Sequence, residues 1–392
     1  MMKKKAIVFV LLLCIAALFG CKSKTDILAD DNKYSELCDK YFCDTYMQGN
    51  YRQAWKLNIE DGSIFTACPD PLCGHGSADS ACPFCSVIPV KIVDGGRYLF
   101  YVGFSNRENA IYCFDTEENK TSKIYVYDKL PSSNPQFLYG EGRLYFDIPV
   151  IKTADGEYVE TTERILMYYD ISTKKIKEYG KRDESQRLLF EYNGKLYYRD
   201  DTGIYSTNGE FDTGEPLPLP NGGKLDAFGG YFECGPGYVA KSSAPADIYL
   251  FDEGKSVPIP AEASGCYLVG LSATGDTFYF TLGGAETTDG EDGHYTVKIC
   301  ILNKDGAYKI YAVQSDFSFY VCKGYGDRVV CSILGEYKDG VDLSYYSEEN
   351  YTPNNLMWID LQTGKTSLYN VYAENVLDKH LNDITVKTER IK

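Results

Sequence analysis

Four cysteines and one histidine are concentrated in one short, proline-containing stretch of the sequence. Cys68, Cys73, His75, Cys82 and Cys85 lie within 18 residues. Thiolates and neutral imidazole are the ligands that Zn²⁺ prefers in closed tetrahedral sites. The stretch therefore predicts a structural zinc site with the ligands Cys68, Cys73, His75 and Cys82, for which Cys85 is the substitute. Because the spacing differs from that of common zinc fingers, one or two local disulfides, or free thiols, stay open as alternatives.

Other cysteines occur in apolar, strand-like segments. At Cys113 and Cys300 the neighbours are aromatic and branched residues, among which cysteine packs as a small hydrophobe. Cys322 and Cys331 flank a glycine-containing turn at residues 324–327, so they can face each other across a hairpin. We expect packed thiols at all four positions, and a cross-strand disulfide between Cys322 and Cys331 is the alternative.

The N-terminal residues have the pattern of an export signal. Three lysines precede a wholly apolar run over residues 6–19, which is shorter than a membrane-spanning helix needs. The following Leu18-Phe19-Gly20-Cys21 resembles the lipobox of bacterial lipoproteins, in which the cysteine is acylated. We expect residues 1–20 to be a signal peptide and residues 21–37 to be a polar tether. Lipid on Cys21 would anchor the protein to the cell membrane at its extracytoplasmic face; an ordinary cleaved signal with an incidental cysteine is the alternative.

Charge and composition restrict the partners and the fold class. The chain carries a formal charge of −16, and removal of residues 1–20, with their three lysines and no acids, leaves −19. Such an acidic protein repels phosphate backbones, so we expect no nucleic-acid partner. The chain contains 35 tyrosines and 36 glycines. Because tyrosine favours half-buried strands and glycine favours tight turns, this composition predicts many short strands.

Two units recur along the chain. In the first, an apolar strand ends in Asp or Asn and a polar turn follows; the strand ends are Asn58, Asp115, Asp170, Asp252, Asn303 and Asp360, with a weaker copy at 204–209. In the second, a glycine turn enters an aromatic strand; its copies are 95–100, 142–146, 194–198, 237–239, 275–279 and 326–330. Such turns between alternating apolar positions are typical of hairpins.

Two hairpins in a period of about 50 residues predict the four-stranded blades of a β-propeller. We expect an all-β fold over residues 38–392 with seven blades, and six or eight blades, or two separate β-domains, are the alternatives. Six blades are expected near 90–128, 135–180, 187–219, 226–260, 266–313 and 318–370. The hairpin at 52–67 lacks its inner strands. We expect residues 371–392, with Ile384-Thr385-Val386-Lys387, to supply at least one, so that pairing of the N- and C-terminal strands closes the ring. A short helix is expected near Tyr34–Tyr41.

The expected long loops all fall at one end of the blades. They are residues 68–89, 148–164, 282–296 and 335–354. Long loops on a rigid scaffold commonly carry binding function. Tyr345, Tyr346 and Tyr351 are candidate ligand-face residues, because tyrosine stacks on sugar rings and peptide side chains; solvated loops without a ligand are the alternative. The acids around Asp289 lack the spacing of a calcium loop, so we expect no calcium site there.

The hairpin repeats resemble lipoprotein-receptor-type propeller domains of unknown function found in bacterial lipoproteins. The segment from Cys68 to His75, with the following Cys82-Pro83-Phe84, is similar to one seen in such proteins of anaerobic Gram-positive bacteria. The resemblance covers most of the chain after Cys21 and implies a cell-surface lipoprotein with a propeller domain. It implies no activity, substrate or catalytic residue.

Two classes of function agree with these patterns. The first is a binding or scaffold module that presents its long-loop face to a protein, peptide or glycan at the envelope. The second is a polysaccharide hydrolase or lyase with carboxylates at the central channel of the propeller. The sequence contains no nucleophile elbow, phosphate loop or zinc-hydrolase motif, and no catalytic residue can be singled out. We therefore favour the binding module.

Overall fold

The chain folds almost entirely into β-strands. The computed structural model describes residues 40–48, 51–66, 88–103, 110–127, 136–154, 157–211, 215–220, 231–235, 237–241, 245–251, 253–283, 287–289, 294–315, 318–334, 355–370 and 386–392. Helical structure in these ranges comprises a 3-10 turn at Asp94–Gly96, the helix α1 at Ala261–Ser264 and a 3-10 residue at Pro220. The expected all-β class is confirmed.

The described strands form seven antiparallel sheets, which follow one another along the chain. Sheet 1 contains β1 (Tyr41–Gln48), β2 (Tyr51–Asn58) and β3 (Ile64–Thr66). Sheet 2 contains β4 (Ile88–Val93), β5 (Tyr98–Gly103), β6 (Ala110–Asp115) and β7 (Lys120–Val126). Sheet 3 contains β8 (Phe137–Gly140), β9 (Arg143–Ala154), β10 (Glu157–Asp170) and β11 (Lys175–Asp183).

Sheet 4 contains β12 (Arg187–Tyr192), β13 (Lys195–Arg199) and β14 (Ile204–Thr207). Sheet 5 contains β15 (Tyr231–Gly235), β16 (Tyr238–Lys241), β17 (Asp247–Leu250) and β18 (Lys255–Ser256). Sheet 6 contains β19 (Tyr267–Thr274), β20 (Thr277–Gly283), β21 (Thr287–Asp289), β22 (His294–Asn303) and β23 (Tyr308–Ser315). Sheet 7 contains β24 (Ser318–Tyr325), β25 (Arg328–Leu334), β26 (Asn355–Asp360) and β27 (Thr366–Asn370). The last strand, β28 (Lys387–Arg390), belongs to sheet 6.

The recurring Asp of the sequence repeat caps the turn that follows the third strand of a sheet. The Oδ1 atom of Asp115 accepts a hydrogen bond from Glu117 N at 3.0 Å, and that of Asp360 accepts one from Gln362 N at 3.0 Å. The backbone N–H of the residue directly after this Asp donates to the carbonyl oxygen of the residue just before the second strand, as Leu361 N does to Asp327 O at 2.9 Å. The repeat is thus a side-chain-capped turn that also joins two hairpins.

The same bonds identify the position of β1. Ile59 N donates to Lys40 O at 2.7 Å, as Leu361 N does to Asp327 O. Lys40 therefore corresponds to Asp327, and β1 takes the second-strand position in sheet 1. The strand begins at Tyr41, so the expected helix near Tyr34–Tyr41 is wrong at that residue, and residues 34–39 lie outside the described ranges.

The C-terminal strand does not join sheet 1. Residues 387–390 pair with β23, with Arg390 opposite Tyr311, so the expected pairing with the 52–67 hairpin is wrong for this strand. Val386 packs into the apolar core between sheets 6 and 7, which holds β28 against the outer edge of sheet 6. Ile384 and Thr385 lie outside the described residues.

Apolar cores lie between consecutive sheets, and the first strands of neighbouring sheets contact each other. Phe100 of sheet 2 and Phe146 of sheet 3 share one core, for example, and Trp55 of sheet 1 and Trp358 of sheet 7 share another. Contacts join β4 to β8, β8 to β12, β15 to β19, and β19 to β24; β1 contacts β4. Sheet 1 therefore packs against both sheet 2 and sheet 7.

A long hairpin extends sheet 3 where a loop was expected at residues 148–164. Strand β9 continues to Ala154 and β10 begins at Glu157, and the two remain paired, with Thr153 opposite Tyr158. The expected loop is wrong, because Ala154 and Glu157, on either side of Asp155-Gly156, are still paired as strand residues. An Asp-Gly dipeptide between strands is a sequence signal for a hairpin.

Prolines follow the outer edges of sheets 4 and 5. Leu217 lies between Pro216 and Pro218, and its N–H donates to Ile204 O at 2.7 Å. Val257 precedes Pro258, and its N–H donates to Ile248 O at 2.7 Å. At each edge, the outermost segment is thus joined to the sheet through the N–H of one apolar residue that lies beside a proline.

Candidate functional site

The site residues expected from the sequence all lie outside the described residues. They are Cys21, Cys68, Cys73, His75, Cys82, Cys85, Tyr345, Tyr346 and Tyr351. No group of three potential metal ligands occurs in the part of the chain that is described. No helix there has the length and apolar character required to span a membrane. The lipid, zinc and ligand-face assignments stay predictions.

The two ends of the sheets differ. We call the end that holds the first–second and third–fourth turns the turn end, and the opposite end the loop end. Neighbouring sheets are tied together at the turn end by tyrosines of their second strands. Tyr145 OH donates to Glu191 Oε1 at 2.7 Å, Tyr238 OH to Asp276 Oδ1 at 2.7 Å, and Tyr279 OH to the carbonyl oxygen of Gly326 at 3.2 Å. The repetition of this contact indicates a structural role.

Glu191 is a buried carboxylate on β12 close to the turn end. Its Oε1 atom accepts hydrogen bonds from Arg143 Nη1 at 2.6 Å and from Tyr145, while Oε2 has no hydrogen-bond partner. Burial raises the pKa of Glu191 and outweighs the opposing effects of Tyr145 and Arg143. Because Gly140 has no side chain, β8 can approach this carboxylate; a Cβ atom there would lie 2.5 Å from the Cβ of Glu191. The carboxylate is enclosed between sheets 3 and 4.

Asp327 lies at the same end of the molecule, but its pKa is shifted in the opposite direction from that of Glu191. Lys309 Nζ lies 2.7 Å from its Oδ1 atom, and Tyr311 OH donates to the same oxygen at 3.2 Å. Burial alone would raise the pKa of Asp327, but the hydrogen bond and charge of Lys309 outweigh it and lower the pKa below its usual value. The aspartate is therefore held ionised, and it ties sheet 6 to sheet 7.

A buried ion pair lies at the loop end of sheet 3. Arg182 Nε donates to Asp147 Oδ1 at 2.9 Å, and Arg182 Nη2 bonds to Oδ2. The two side chains are 2% and 3% exposed. Arg182 also binds the carbonyl oxygens of Asp183 and Gln186, and so fixes the connection between sheets 3 and 4.

A second buried arginine holds the base of the long hairpin. Arg164 Nη2 lies 3.0 Å from Glu160 Oε1 and 2.6 Å from Glu184 Oε2. It also contacts the carbonyl oxygen of Thr161, next to the register shift between Glu160 and Arg164. The hairpin therefore rises from a charged, hydrogen-bonded base and not from an apolar one.

Exposed apolar side chains are concentrated at the loop end. Of the six large ones in the described ranges, four lie there: Val126 at the end of β7, Val159 on the long hairpin, and Tyr267 and Val269 at the start of β19. Phe65 lies in mid-sheet and Ile391 at the turn end. Contiguous exposed apolar surface commonly marks an interaction site, and of these four residues Tyr267 and Val269 are neighbours on one strand.

Tyr267 and Val269 lie next to two glycines, Gly283 and Gly270, at which a side chain would not fit. Tyr267 is 57% exposed and pairs with Gly283, where a Cβ atom would lie 2.7 Å from Val269 Cγ2. At Gly270, with φ of +64°, a Cβ atom would lie 2.0 Å from the carbonyl oxygen of Val321. Side chains are thus excluded where the first strands of sheets 6 and 7 meet, and the exposed pair stands beside this junction.

Two buried carboxylates and one exposed aromatic side chain differ in what they offer to a ligand. A glycosidase needs two accessible carboxyl groups facing a substrate. Asp147 and Glu191 are each enclosed and bound to an arginine. By contrast, Tyr267 presents an aromatic surface to solvent at the loop end, which suits stacking on a sugar ring or a peptide side chain.

Sequence reasoning did not single out Asp147, Arg182 or Glu191. A signal was present for the carboxylates, because Asp147 follows Leu144-Tyr145-Phe146 and Glu191 follows Leu188-Leu189-Phe190. A charged residue inside an apolar strand must find a partner when it is buried. The identity of the partner was not readable, since Arg182 lies 35 positions after Asp147.

No family model matches the sequence, and no curated protein matches it. Among solved structures, a prolyl endopeptidase shares 13% identity over 96% of this chain, with a TM-score of 0.44, and the match spans 54% of that protein's length. The β-propeller domain of the trilobed protease from Pyrococcus furiosus shares 11% identity over 87% of this chain and 99% of its own, with a TM-score of 0.41. TolB from Acinetobacter baumannii shares 12% identity over 72% of this chain and 82% of its own, with a TM-score of 0.27. All three are β-propeller proteins, and similarity at this level carries no inference about activity.

Proposed function

We propose that the chain is an envelope-anchored lipoprotein that binds a protein, peptide or glycan through the loop end of a seven-bladed β-propeller. The observation that carries the binding role is the difference between the two ends of the sheets. At the turn end, side-chain-capped turns and tyrosine hydrogen bonds join neighbouring sheets. The loop end carries the long hairpin and most of the exposed apolar side chains.

The ring architecture is supported by contacts between sheets that are distant in sequence. Trp358 Nε1 of sheet 7 donates to the carbonyl oxygen of Ile59 in sheet 1 at 2.7 Å. Lys323 Nζ of β24 donates to Tyr41 O at 3.1 Å. Together with the contact of β1 with β4, these bonds support an arrangement in which sheet 1 lies between sheets 7 and 2, as ring closure would require.

The binding role is tested with panels of cell-wall glycans, dietary glycans and peptides. We expect retention of one panel member by the wild type, and at least a tenfold loss in the double variant Tyr267→Ser, Val269→Ser, which corresponds to about 1.4 kcal/mol. Ile391→Ser at the turn end is the matched control and should bind as the wild type does. Equal binding by both variants would contradict a loop-end site, and cleavage of a retained glycan would favour the hydrolase or lyase instead.

The lipid anchor rests on the lipobox-like residues around Cys21 and is tested independently. Growth of a bacterial host with labelled palmitate should label the wild type and not Cys21→Ala, which should be released from the membrane fraction. An unlabelled wild type would contradict the lipoprotein assignment and leave the binding test unaffected.

The zinc site remains part of the proposal as a structural element of the loop at residues 68–89. We expect about one zinc per chain, bound by Cys68, Cys73, His75 and Cys82, and loss of that zinc in His75→Ala. Metal-free protein with paired thiols in this segment would establish disulfides in its place.

A further inference from the structure

Strand β1 has a hydrogen-bonding edge that faces away from β2. Lys40 and Ile59 form a hydrogen-bonded pair, and in an antiparallel ladder such pairs recur at every second residue, next at Phe42. The backbone N–H and C=O groups of Tyr41 and Cys43 therefore point to the opposite edge. In sheets 2 to 7 the second strand is paired on both sides, whereas β1 is paired, among the described strands, with β2 alone. The first-strand position of sheet 1 borders this edge.

Strand β24 is covered less on its side toward sheet 1 than on its side toward sheet 6. Phe319 and Val321 lie in the core between sheets 6 and 7 and are fully buried. On the opposite side, Tyr325 is partly exposed and packs against the core between sheets 7 and 1. Lys323 is also partly exposed, and its Nζ atom donates to the carbonyl oxygen of Tyr41, on the edge of β1 that faces away from β2. A first strand of sheet 1 would lie between β24 and β4 and cover this side.

The chain enters β1 at the turn end, where the first strands of the other sheets end. Asp327 is the last residue of the two-residue turn that joins the first two strands of sheet 7, and Lys40 has the same position before β1. A turn of the same length places Cys38 opposite Tyr41. Residues 31–38, which directly precede this turn, are as many as the residues of β24 and can run antiparallel to β1.

We propose that residues 31–38 dock as the first strand of sheet 1 along this edge of β1, and that they bring the lipid anchor out of the fold at the loop end. The N–H groups of Glu36 and Cys38 donate to β1, because these residues are opposite Cys43 and Tyr41, whose backbone groups face the edge. Backbone groups supply the pairing, so the polar side chains in the segment do not oppose it.

A match of side-chain size between neighbouring sheets supports this register. Gly324 of β24 lies against Tyr279 of sheet 6, whose ring would be 2.1 Å from a Cβ atom at the glycine. The residues in corresponding positions are Leu37 in the docked strand and Val330 in sheet 7. A larger residue on the first strand thus meets a smaller one on the sheet before it, as close packing requires. Val330 belongs to the core between sheets 7 and 1, so Leu37 extends that core.

The docked strand determines where the tether leaves the fold. First strands run from the loop end to the turn end, so Asp31 lies at the loop end, and the tether expected at residues 21–37 is shortened to 21–30. Residues 22–30 span at most about 30 Å when fully extended. The docking is independent of the ligand and of the lipid, whereas the position of the anchor rests on the lipid at Cys21 proposed above. With that lipid, the loop end is the end closer to the membrane, and the partner that it binds lies at the membrane surface.

Hydrogen exchange of the full-length chain, resolved to single amides, tests the docking. We expect the amides of Glu36 and Cys38 to exchange at least about tenfold more slowly than those of the tether. The amides of Tyr41 and Cys43 should be protected as well, because the same strand pairs with them. Exchange at Glu36 and Cys38 as fast as in the tether would overturn the proposal. Protection of Tyr41 and Cys43 that persists after deletion of residues 31–38 would also overturn it, since another segment or a second molecule would then pair with the edge.

Two proline variants make the result specific. Glu36→Pro removes an N–H group that pairs with β1, so the protection of Cys38 and Cys43 should fall to the level of the tether. Amides in sheet 4 should stay protected in this variant, which shows that the rest of the chain is folded. Lys24→Pro, in the tether, should exchange as the wild type does. Unchanged protection of Cys43 in Glu36→Pro would contradict the pairing.

The position of the anchor is tested in phosphatidylcholine vesicles that contain a lipid with a photoreactive headgroup. Illumination should label the peptide that contains Tyr267, at the loop end, more strongly than the peptide that contains Ile391, at the turn end. The reverse order would overturn the loop-end position of the anchor. Slow exchange at Glu36 and Cys38 in a protein that does not bind the vesicles would contradict the lipid at Cys21 and support the docked strand alone.

Discussion

Replacement of Arg182 by methionine tests whether the ion pair at the loop end of sheet 3 is a structural element. Methionine keeps most of the side-chain volume and removes the donors to Asp147, at 2.9 Å for Nε. The Asp147 carboxylate, 3% exposed, is then left with the backbone N–H of Gln136 at 3.2 Å as its remaining described donor. Breaking a buried pair by removal of one partner costs about 3–5 kcal/mol, because the other charge stays buried. We expect a decrease of that size in the free energy of unfolding.

A double-mutant cycle separates the pair from the rest of the network. Arg182→Met and Asp147→Leu should each destabilise the protein, and the double variant should recover most of the loss, because no unpaired charge remains. Guanidinium unfolding followed by circular dichroism gives each free energy.

The adjacent residue on the same strand provides a matched control. Lys181 Nζ lies 3.0 Å from Glu163 Oε1, but the two side chains are 64% and 42% exposed. Lys181→Met should therefore change the free energy of unfolding by only about 0–1 kcal/mol. Equal effects of Arg182→Met and Lys181→Met would refute the reasoning, since burial would then make no difference to the cost.

Three further predictions concern the contacts between sheets. Burial raises the pKa of Glu191 above its ordinary value of 4.5. The contribution of Glu191 to the free energy of unfolding is therefore fully present below pH 4.5 and is lost as the pH rises through the folded-state pKa. Unfolding measured over a pH series should show a weaker decline in Glu191→Gln, and an unchanged slope would contradict the assignment. Gly324→Ala places a Cβ atom 2.1 Å from the ring of Tyr279 and should lower the free energy of unfolding by about 1–3 kcal/mol. Gly265→Ala is the control, because its Cβ atom would have nothing within 4 Å, and it should change that free energy little. Equal shifts of the melting temperature in the two variants would exclude the steric cause. Trp358→Phe removes the hydrogen bond to Ile59 O at 2.7 Å. Because a buried carbonyl then loses its donor, the free energy of unfolding measured with denaturant should fall by about 1–3 kcal/mol. An unchanged free energy would mean that this contact between sheets 7 and 1 is not required for stability.

The strand content was predictable because the signals are local. Glycine turns and aromatic strands placed sheet 7 at 318–370, where the structure has it from Ser318 to Asn370. The Asp that ends each third strand was recognised as a repeat, and its hydrogen bonds to the following turn explain why that position is polar.

The features that sequence reasoning missed depend on contacts between distant residues. Strand β28 consists of four polar residues, so only its pairing with β23 shows which sheet it joins. The ion pair of Asp147 with Arg182 likewise joins β9 to β11, which lie on either side of β10. The long hairpin had a local signal in Asp155-Gly156, but its length suggested a loop. The expected metal, lipid and ligand-face residues have yet to be tested.

The proline-flanked segments along sheets 4 and 5 have a consequence for the protein in concentrated solution. An outer strand with a regular row of unpaired N–H groups can pair with the same strand of another molecule, which is a common route to aggregation. Pro216, Pro218 and Pro258 have no N–H to offer, and the adjacent Leu217 and Val257 N–H groups are already bonded within their own chain. At high protein concentration, these two edges therefore offer a less regular row of free N–H groups to a second copy, which disfavours strand addition there.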